Sequence, residues 1–118
     1  MRNIIKASKS LSDETRLRIL NLLLQRECCV CEVMQALGIS QTRASRNLSI
    51  LHEAGFLTLK KEGLWSNYSL DREGMEPYLS DLINAVSKAL DDNEVFALDR
   101  NRLNKAKRVG PARAASLQ

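Results

Sequence analysis

A short turn between two helical segments is the feature that most constrains the fold of this chain. Apolar residues recur at helical spacing over 30–37 and stop at Gly38, which suits the left-handed position that caps a helix. Ser40 is a favourable N-cap, so a second helix is predicted over 41–54, and Gly55 ends it. Two helices joined by such a turn are typical of a helix-turn-helix.

The patterns on both sides extend this pair into a winged helix-turn-helix. Ser12 is the predicted N-cap of a leucine-rich helix, and Glu62 and Gly63 form the predicted turn of a β-hairpin, the wing. The expected fold is mainly α (α+β), in the order ααααββα. The flanking helices and strands are predicted over 2–9, 12–26, 56–61, 64–70 and 75–90.

Length and charge distribution predict one small domain followed by a basic tail. A chain of 118 residues with 44% apolar positions suits a single core. Residues 71–99 carry 2 basic and 8 acidic groups, whereas residues 100–118 carry 6 basic groups and no acidic one. We therefore predict a DNA-binding and dimerisation domain over 1–99 and a flexible basic tail over 100–118. The tail is either a non-specific DNA-contacting arm or a solvated terminus.

Composition also excludes several functional classes. No apolar run approaches the roughly 18 to 20 residues of a membrane span, and the first residues lack the apolar core of a signal peptide, so we expect a cytoplasmic protein without a membrane partner. One histidine, no glycine-rich phosphate loop and no nucleophile signature argue against an enzyme. Aromatic content of 4% disfavours stacking on single strands, and the basic bias favours duplex DNA.

The three cysteines form a cluster, Cys28, Cys29 and Cys31. Clustered thiols in a reducing compartment are more often metal-binding or redox-active than structural, and thiolates select soft ions such as arsenite and antimonite. Cys29 and Cys31 would lie about 200° apart around a regular helix, so joint ligation is predicted to distort that helix. Cys28, three residues before Cys31, would face the same side if it were helical, and would then offer a third ligand.

Other interpretations of the cluster stay open. Oxidation of the thiols to a sulfenate, persulfide or disulfide would make a redox- or sulfur-responsive protein of the same fold. Cysteines that only fill a core would leave a DNA-binding protein that senses nothing.

Polar side chains cluster in the N-terminal half of the second helix of the pair, where a recognition helix meets base edges. Arginine pairs with guanine, and asparagine or glutamine with adenine, through two hydrogen bonds. The alternatives are a solvated helix face and an ordinary charged hairpin. We predict base contacts from Gln41, Ser45, Arg46 and Asn47, phosphate contacts from Thr42 and Arg43, and wing contacts to the DNA backbone or minor groove from Lys60 and Lys61.

Four segments resemble the ArsR/SmtB arsenic-repressor family, and together they lie within about half of the chain. The resemblance implies a homodimeric repressor that needs no cofactor and releases double-stranded operator DNA when an inducer binds. The C-V-C sequence is similar to the thiol site of the arsenite-responsive members, which implies arsenite or antimonite as the inducer. The four segments are LSDETRLRIL (11–20), CVCEV (29–33), SQTRASRNL (40–48) and LHEAGFL (51–57).

The sequence departs from the family pattern at the thiol site. Met34 stands where arsenite-responsive relatives often have another cysteine, and Cys28 stands where they often have leucine. The only histidine, His52, lies outside the last predicted helix, so the zinc sites of the family are disfavoured. Whether the site has two sulfur ligands or three therefore stays open. In either case, we expect the bound ion to deform the first helix of the pair and displace the recognition helix.

Dimerisation is also expected from burial. The apolar stripe of the last predicted helix, together with Ile4 and Ile5, has little core left to cover in so short a chain. We predict a homodimer through the first and last helices, and the alternative is a stripe covered within one chain. Two recognition helices related by a two-fold axis would read a near-palindromic site with half-sites about one helical turn apart.

Overall fold

The structure, a computed structural model, describes residues 1–109. It is a mainly helical winged helix-turn-helix with a three-stranded antiparallel wing in the order β1-β3-β2, which confirms the predicted fold class. In chain order, its elements are α1 (Arg2–Ser10), α2 (Glu14–Gln25), β1 (Cys28–Cys29), α3 (Val30–Leu37), α4 (Gln41–Glu53), β2 (Leu57–Glu62), β3 (Trp65–Leu70), α5 (Pro77–Ala89) and α6 (Glu94–Lys105).

The helix-turn-helix is formed by α3 and α4 as predicted. Gly38 has a φ of 67°, so it adopts the left-handed conformation that ends α3. The side chain of Ser40 accepts a hydrogen bond from the backbone N–H of Arg43 and caps α4. Upstream, the predicted cap at Ser12 is wrong, because the Asp13 carboxylate accepts from Arg16 N–H at 3.0 Å and starts α2.

The predicted order of elements lacks one strand and one helix. β1 has only two residues, too few for a period-two pattern, and Cys28 and Cys29 pair with Tyr68 and Asn67 of β3. In the wing, Glu62 pairs with Trp65, so the hairpin turn lies one residue later than predicted.

The tail predicted to begin at residue 100 is also wrong in its first part, since α6 continues to Lys105. Its inward face is formed by Phe96, Asp99 and Leu103, and the acidic residue in that stripe conceals the apolar pattern. Asp99 is nearly fully buried because both of its carboxylate oxygens bind the guanidinium of Arg18 in α2, at 2.7 and 2.8 Å. These hydrogen bonds raise the pKa of Arg18. Residues 106–109 form no helix or strand but are hydrogen-bonded to Gln35 and Trp65, and residues 110–118 lie outside the described residues.

Replacement of Asp99 by alanine should lower the free energy of unfolding by about 2 kcal/mol, because the paired charge-assisted hydrogen bonds that hold α6 on α2 are lost. Urea unfolding followed by circular dichroism measures this. The matched control is Asp92→Ala, which removes an exposed carboxylate just before the same helix. Equal losses in the two variants would show that α6 does not depend on this pair.

The apolar side chains that were assigned to the dimer interface are partly buried within the chain and partly exposed. On α5, Leu79 and Ile83 are buried within the chain, so part of the stripe that we assigned to dimerisation is already covered. On α1, Ile4 and Ile5 are exposed by 41% and 46%. Within residues 1–109, no helix combines the length and apolar character that crossing a membrane requires.

Candidate functional site

The sulfur atoms of Cys29 and Cys31 meet at the N-terminus of α3, where the structure joins them as a disulfide. Cys29 is the N-cap of that helix and has extended backbone, with φ −80° and ψ 167°. Its side chain therefore reaches Cys31 without any unwinding of α3. The predicted separation of about 200° is wrong because it assumed helical backbone at Cys29. Joint ligation by the two sulfurs therefore no longer requires the predicted distortion of the helix.

Glu32 holds the start of this helix in place, and the sequence analysis did not single it out. Its buried carboxylate accepts a hydrogen bond from Cys29 N–H at 2.9 Å and from the guanidinium of Arg26 at 2.8 Å. An acidic residue three positions after an N-cap is a capping-box signal, which could have indicated that α3 begins after Cys29.

The structure does not bring Cys28 to the Cys29–Cys31 pair. Successive residues of a strand point to opposite faces, and the thiol of Cys28 donates to the carbonyl of Arg26 at 3.5 Å. Burial raises the pKa of Cys28 to about 12, Arg26 opposes this rise, and Glu32 and Glu27 add to it. Across residues 1–109, no three Cys, His, Asp or Glu side chains are grouped to hold a metal.

The thiol pair lines a cleft of about 130 Å³ between α3, α4 and the wing. Gln41 and Ser45, two of the predicted base-contacting residues, line the same cleft. A ligand on the two sulfurs would therefore lie beside the N-terminal half of the predicted recognition helix. The full lining is Cys29, Val30, Cys31, Gln41, Ser45, Leu64, Trp65, Ser66 and Val109.

The other predicted DNA-contacting residues fall into two groups. Thr42 and Arg46 of α4, like Lys60 and Lys61 of β2, are exposed. Arg43 and Asn47 are engaged within the chain instead. Arg43 donates to the hydroxyl of Thr15 at 2.9 Å, and the Asn47 amide donates to the Arg43 carbonyl at 2.9 Å.

Arg16 of α2, which was not among the predicted site residues, connects α1 and α4. Its guanidinium donates to the side-chain oxygen of Asn47 at 3.0 Å and to the backbone carbonyls of Ser10 and Lys9 at 2.6 and 3.2 Å. One side chain therefore links the C-terminus of α1 to α4. A buried or half-buried arginine with three acceptors fixes the relative position of the elements that provide them.

Comparison with known proteins agrees with this architecture. Residues 13–58 match the family described as "Bacterial regulatory protein, arsR family". The arsenic resistance transcriptional regulator ArsR2 of Pseudomonas putida is 42% identical over 89 residues, which cover 72% of this chain and 77% of that protein. The chain belongs to the ArsR family.

This ArsR-family protein is also similar to the arsenical resistance operon repressor of Escherichia coli, with 46% identity over 67 residues covering 56% of this chain. The chain spans just over half the length of that relative, 57%. Among solved structures, the homodimeric winged helix-turn-helix domain of Mb0332 from Mycobacterium bovis has a TM-score of 0.65 and 28% identity, covering 79% of this chain and 82% of that domain. The family consists of regulators and not enzymes, which confirms the prediction of a non-enzymatic protein.

Proposed function

We propose that this ArsR-family protein is a cytoplasmic repressor that binds double-stranded operator DNA as a homodimer and releases it when As(III) or Sb(III) binds Cys29 and Cys31. The observation that carries this proposal is the meeting of the two sulfurs in a cleft that Gln41 and Ser45 of α4 also line. The names of the E. coli and P. putida relatives, which refer to arsenic resistance, support arsenite as the inducer.

Ligand binding needs the reduced thiols. Arsenous acid would exchange two of its hydroxyl groups for the sulfurs of Cys29 and Cys31, so that two As–S bonds form, two As–O bonds break and the thiol protons leave in two waters. Soft sulfur ligands suit this ion. Cys28 takes no part, because its thiol lies on the other face of β1 and donates to the Arg26 carbonyl.

The switch acts through the cleft and not through unwinding of α3. A trivalent ion held between the sulfurs takes up space in a cleft of only about 130 Å³ that is shared with α4 and the wing. The side chains of Gln41 and Ser45 then shift from the positions that suit DNA. A coupling free energy of about 1–3 kcal/mol between the two sites would weaken DNA binding about 5- to 150-fold.

The DNA contacts of α4 are assigned from exposure and from position beside the cleft. We assign base contacts to Gln41 and Ser45, which line the cleft, and to exposed Arg46, and a phosphate contact to exposed Thr42. Asn47 was predicted to contact a base, but its side-chain oxygen accepts a hydrogen bond from Arg16, so we assign it to the contact between α4 and α2.

The basic residues around the recognition helix complete the assignment. We assign Arg43 to a phosphate contact, and its hydrogen bond to the Thr15 hydroxyl holds the guanidinium at the surface of α4. Lys60 and Lys61 are exposed on the wing and are assigned to the DNA backbone or minor groove.

The proposed dimer uses apolar side chains that the described residues leave exposed. Ile4 and Ile5 of α1 and Leu98 of α6 belong to this set, and Leu98 is 55% exposed. A groove of about 460 Å³ lies between α2 and the start of α6, with Leu17 and Leu90 in its wall. Pairing of two copies through α1 and α6, the first and last helices of the structure, would cover this surface.

A second candidate function is supported by the disulfide between Cys29 and Cys31. Oxidation of the two thiols by a peroxide, which is reduced to two waters, would make the protein a redox-responsive repressor that uses the same cleft.

A gel-shift titration separates the two functions. The DNA is the region upstream of the chain's own gene, and the titrants are arsenite, antimonite, cadmium, zinc and hydrogen peroxide. Loss of the shift with arsenite under reducing conditions supports the metalloid-responsive repressor. Loss only with peroxide supports the redox-responsive repressor, and a shift that no titrant changes contradicts both.

A further inference from the structure

The four residues that follow α6 lie across the thiol pair. We call Ala106–Val109 the strap. Ala106 has extended backbone and leads the chain away from α6. The amide side chain of Gln35 in α3 then holds the backbone of Lys107 by two hydrogen bonds, donating to its carbonyl at 2.6 Å and accepting from its N–H at 3.0 Å.

The other end of the strap is fixed to the wing. The indole N–H of Trp65 donates to the Val109 carbonyl at 2.7 Å. The guanidinium of Arg108 donates to the side-chain oxygen of Asn67 at 2.9 Å and lies 5.5 Å from the centre of the Trp65 ring. Val109 N–H donates to the sulfur of Cys31 at 3.5 Å. The strap therefore bridges α3, the thiol pair and the wing.

Access to the sulfurs depends on what covers them. Cys29 and Cys31 are only 1% and 3% exposed, and the cleft beside them is small. Apart from Val109, the lining of that cleft belongs to the thiol pair itself, α3, α4 and the wing, and these helices and strands pack into the core. Lys107 and Arg108 of the strap are exposed, Ala106 and Val109 are half-buried, and a few hydrogen bonds hold the strap in place. Segments of this kind open at low cost in free energy.

We propose that the strap filters by size the molecules that reach Cys29 and Cys31, and that Gln35 and Trp65 are the positioning residues that hold it closed. A small trivalent oxyacid enters the cleft with the strap in place, whereas a bulky thiol reagent reaches the sulfurs only when the strap lifts. This inference rests on the proposed function for the class of natural ligand, but its mechanical part concerns the thiols alone.

The test measures thiol labelling of the reduced, full-length protein with two reagents, iodoacetamide as the small one and a biotin-linked maleimide as the bulky one. Gln35→Ala removes both hydrogen bonds to Lys107 and the one that the amide donates to the Cys31 carbonyl within α3. The loss of the two bonds to the strap should raise the rate of maleimide labelling at Cys29 and Cys31 about tenfold. The rate with iodoacetamide should change far less. Trp65→Phe, which keeps the ring but removes the donor to Val109, should act in the same direction.

Lys107→Ala is the matched control, because the strap uses the backbone of this residue and its side chain is exposed. It should leave both labelling rates unchanged. Buried Cys28 reports on the fold, and it should stay unlabelled in every variant. Equal increases for the two reagents, no increase in either variant, or labelling of Cys28 together with the pair in both variants would each overturn the size filter.

The outcome is separable from that of the proposed function. If arsenite fails to release DNA from the wild-type protein, the proposed repressor function fails, while size-selective labelling can still be present. If arsenite releases DNA and Gln35→Ala labels like the wild type, the inference about the strap fails and the repressor function stands.

Discussion

Replacement of both Cys29 and Cys31 by serine should leave operator affinity close to that of the reduced wild-type protein and abolish its response to arsenite. Serine keeps the size of the side chain and removes the soft ligand, so the coupling that would weaken DNA binding about 5- to 150-fold disappears. The measurement is a gel-shift titration with and without arsenite under reducing conditions.

The matched control for this variant is Cys28→Ala. It removes the third thiol of the cluster, which lies on the other face of β1 and donates to a backbone carbonyl. Its response to arsenite should equal that of the wild type. A double variant that still releases DNA with arsenite would show that the sensor lies elsewhere. A Cys28→Ala variant that does not respond would show that Cys28 is a third ligand.

Replacement of Arg46 by alanine should weaken binding to the operator about 5- to 150-fold, since one bidentate contact to a base is worth about 1–3 kcal/mol. Arg46 is exposed on α4, and within residues 1–109 its side chain forms no hydrogen bond or ion pair that the substitution would remove. The affinity should fall for the operator and much less for unrelated duplex DNA. Competition gel shifts with specific and non-specific DNA measure both values.

Two further variants give this prediction its controls. Lys60→Ala removes a cation of the wing, and it should weaken binding to all sequences alike and lower the salt dependence by about one phosphate contact. Lys88→Ala removes an exposed cation from α5, a helix that packs on α2, and should have no effect. If Arg46→Ala behaves like Lys60→Ala, Arg46 contacts phosphate and not a base.

The helix-turn-helix was predictable because its signals are local. Gly38, with a φ of 67°, determines the C-terminus of α3, and Ser40 caps the N-terminus of α4. Each of these effects acts within a few residues, so the sequence alone indicates both boundaries. The β2–β3 hairpin of the wing was predictable from strand composition, although the position of its turn was wrong by one residue. The two-residue strand β1 that completes the wing was missed.

The missed helix α6 depends on a long-range contact. Asp99 lies inside only because Arg18, 81 positions earlier in the chain, supplies its partner. No periodic pattern within α6 reveals that pairing, and a run of polar and basic residues therefore resembled a solvated tail. Buried ion pairs are the arrangement that binary apolar patterns represent least well.

The thiol site shows how much depends on the conformation of one residue. The cysteine cluster is evident in the sequence, whereas the boundary between β1 and α3 is not. Because Cys29 is the extended N-cap, the two sulfurs meet directly. The proposed switch therefore acts through the cleft and does not require α3 to unwind. The capping contact of Glu32 was the local signal that could have located this boundary.

The position of Trp65 gives the protein an optical reporter of its own. It is the only tryptophan in the chain, and its indole touches both the thiol cleft and the segment that covers it. The emission of the unlabelled protein excited at the red edge therefore comes from this one ring. The proposed binding of arsenite can be tested there in real time by stopped-flow fluorescence, without a dye and before any DNA is added.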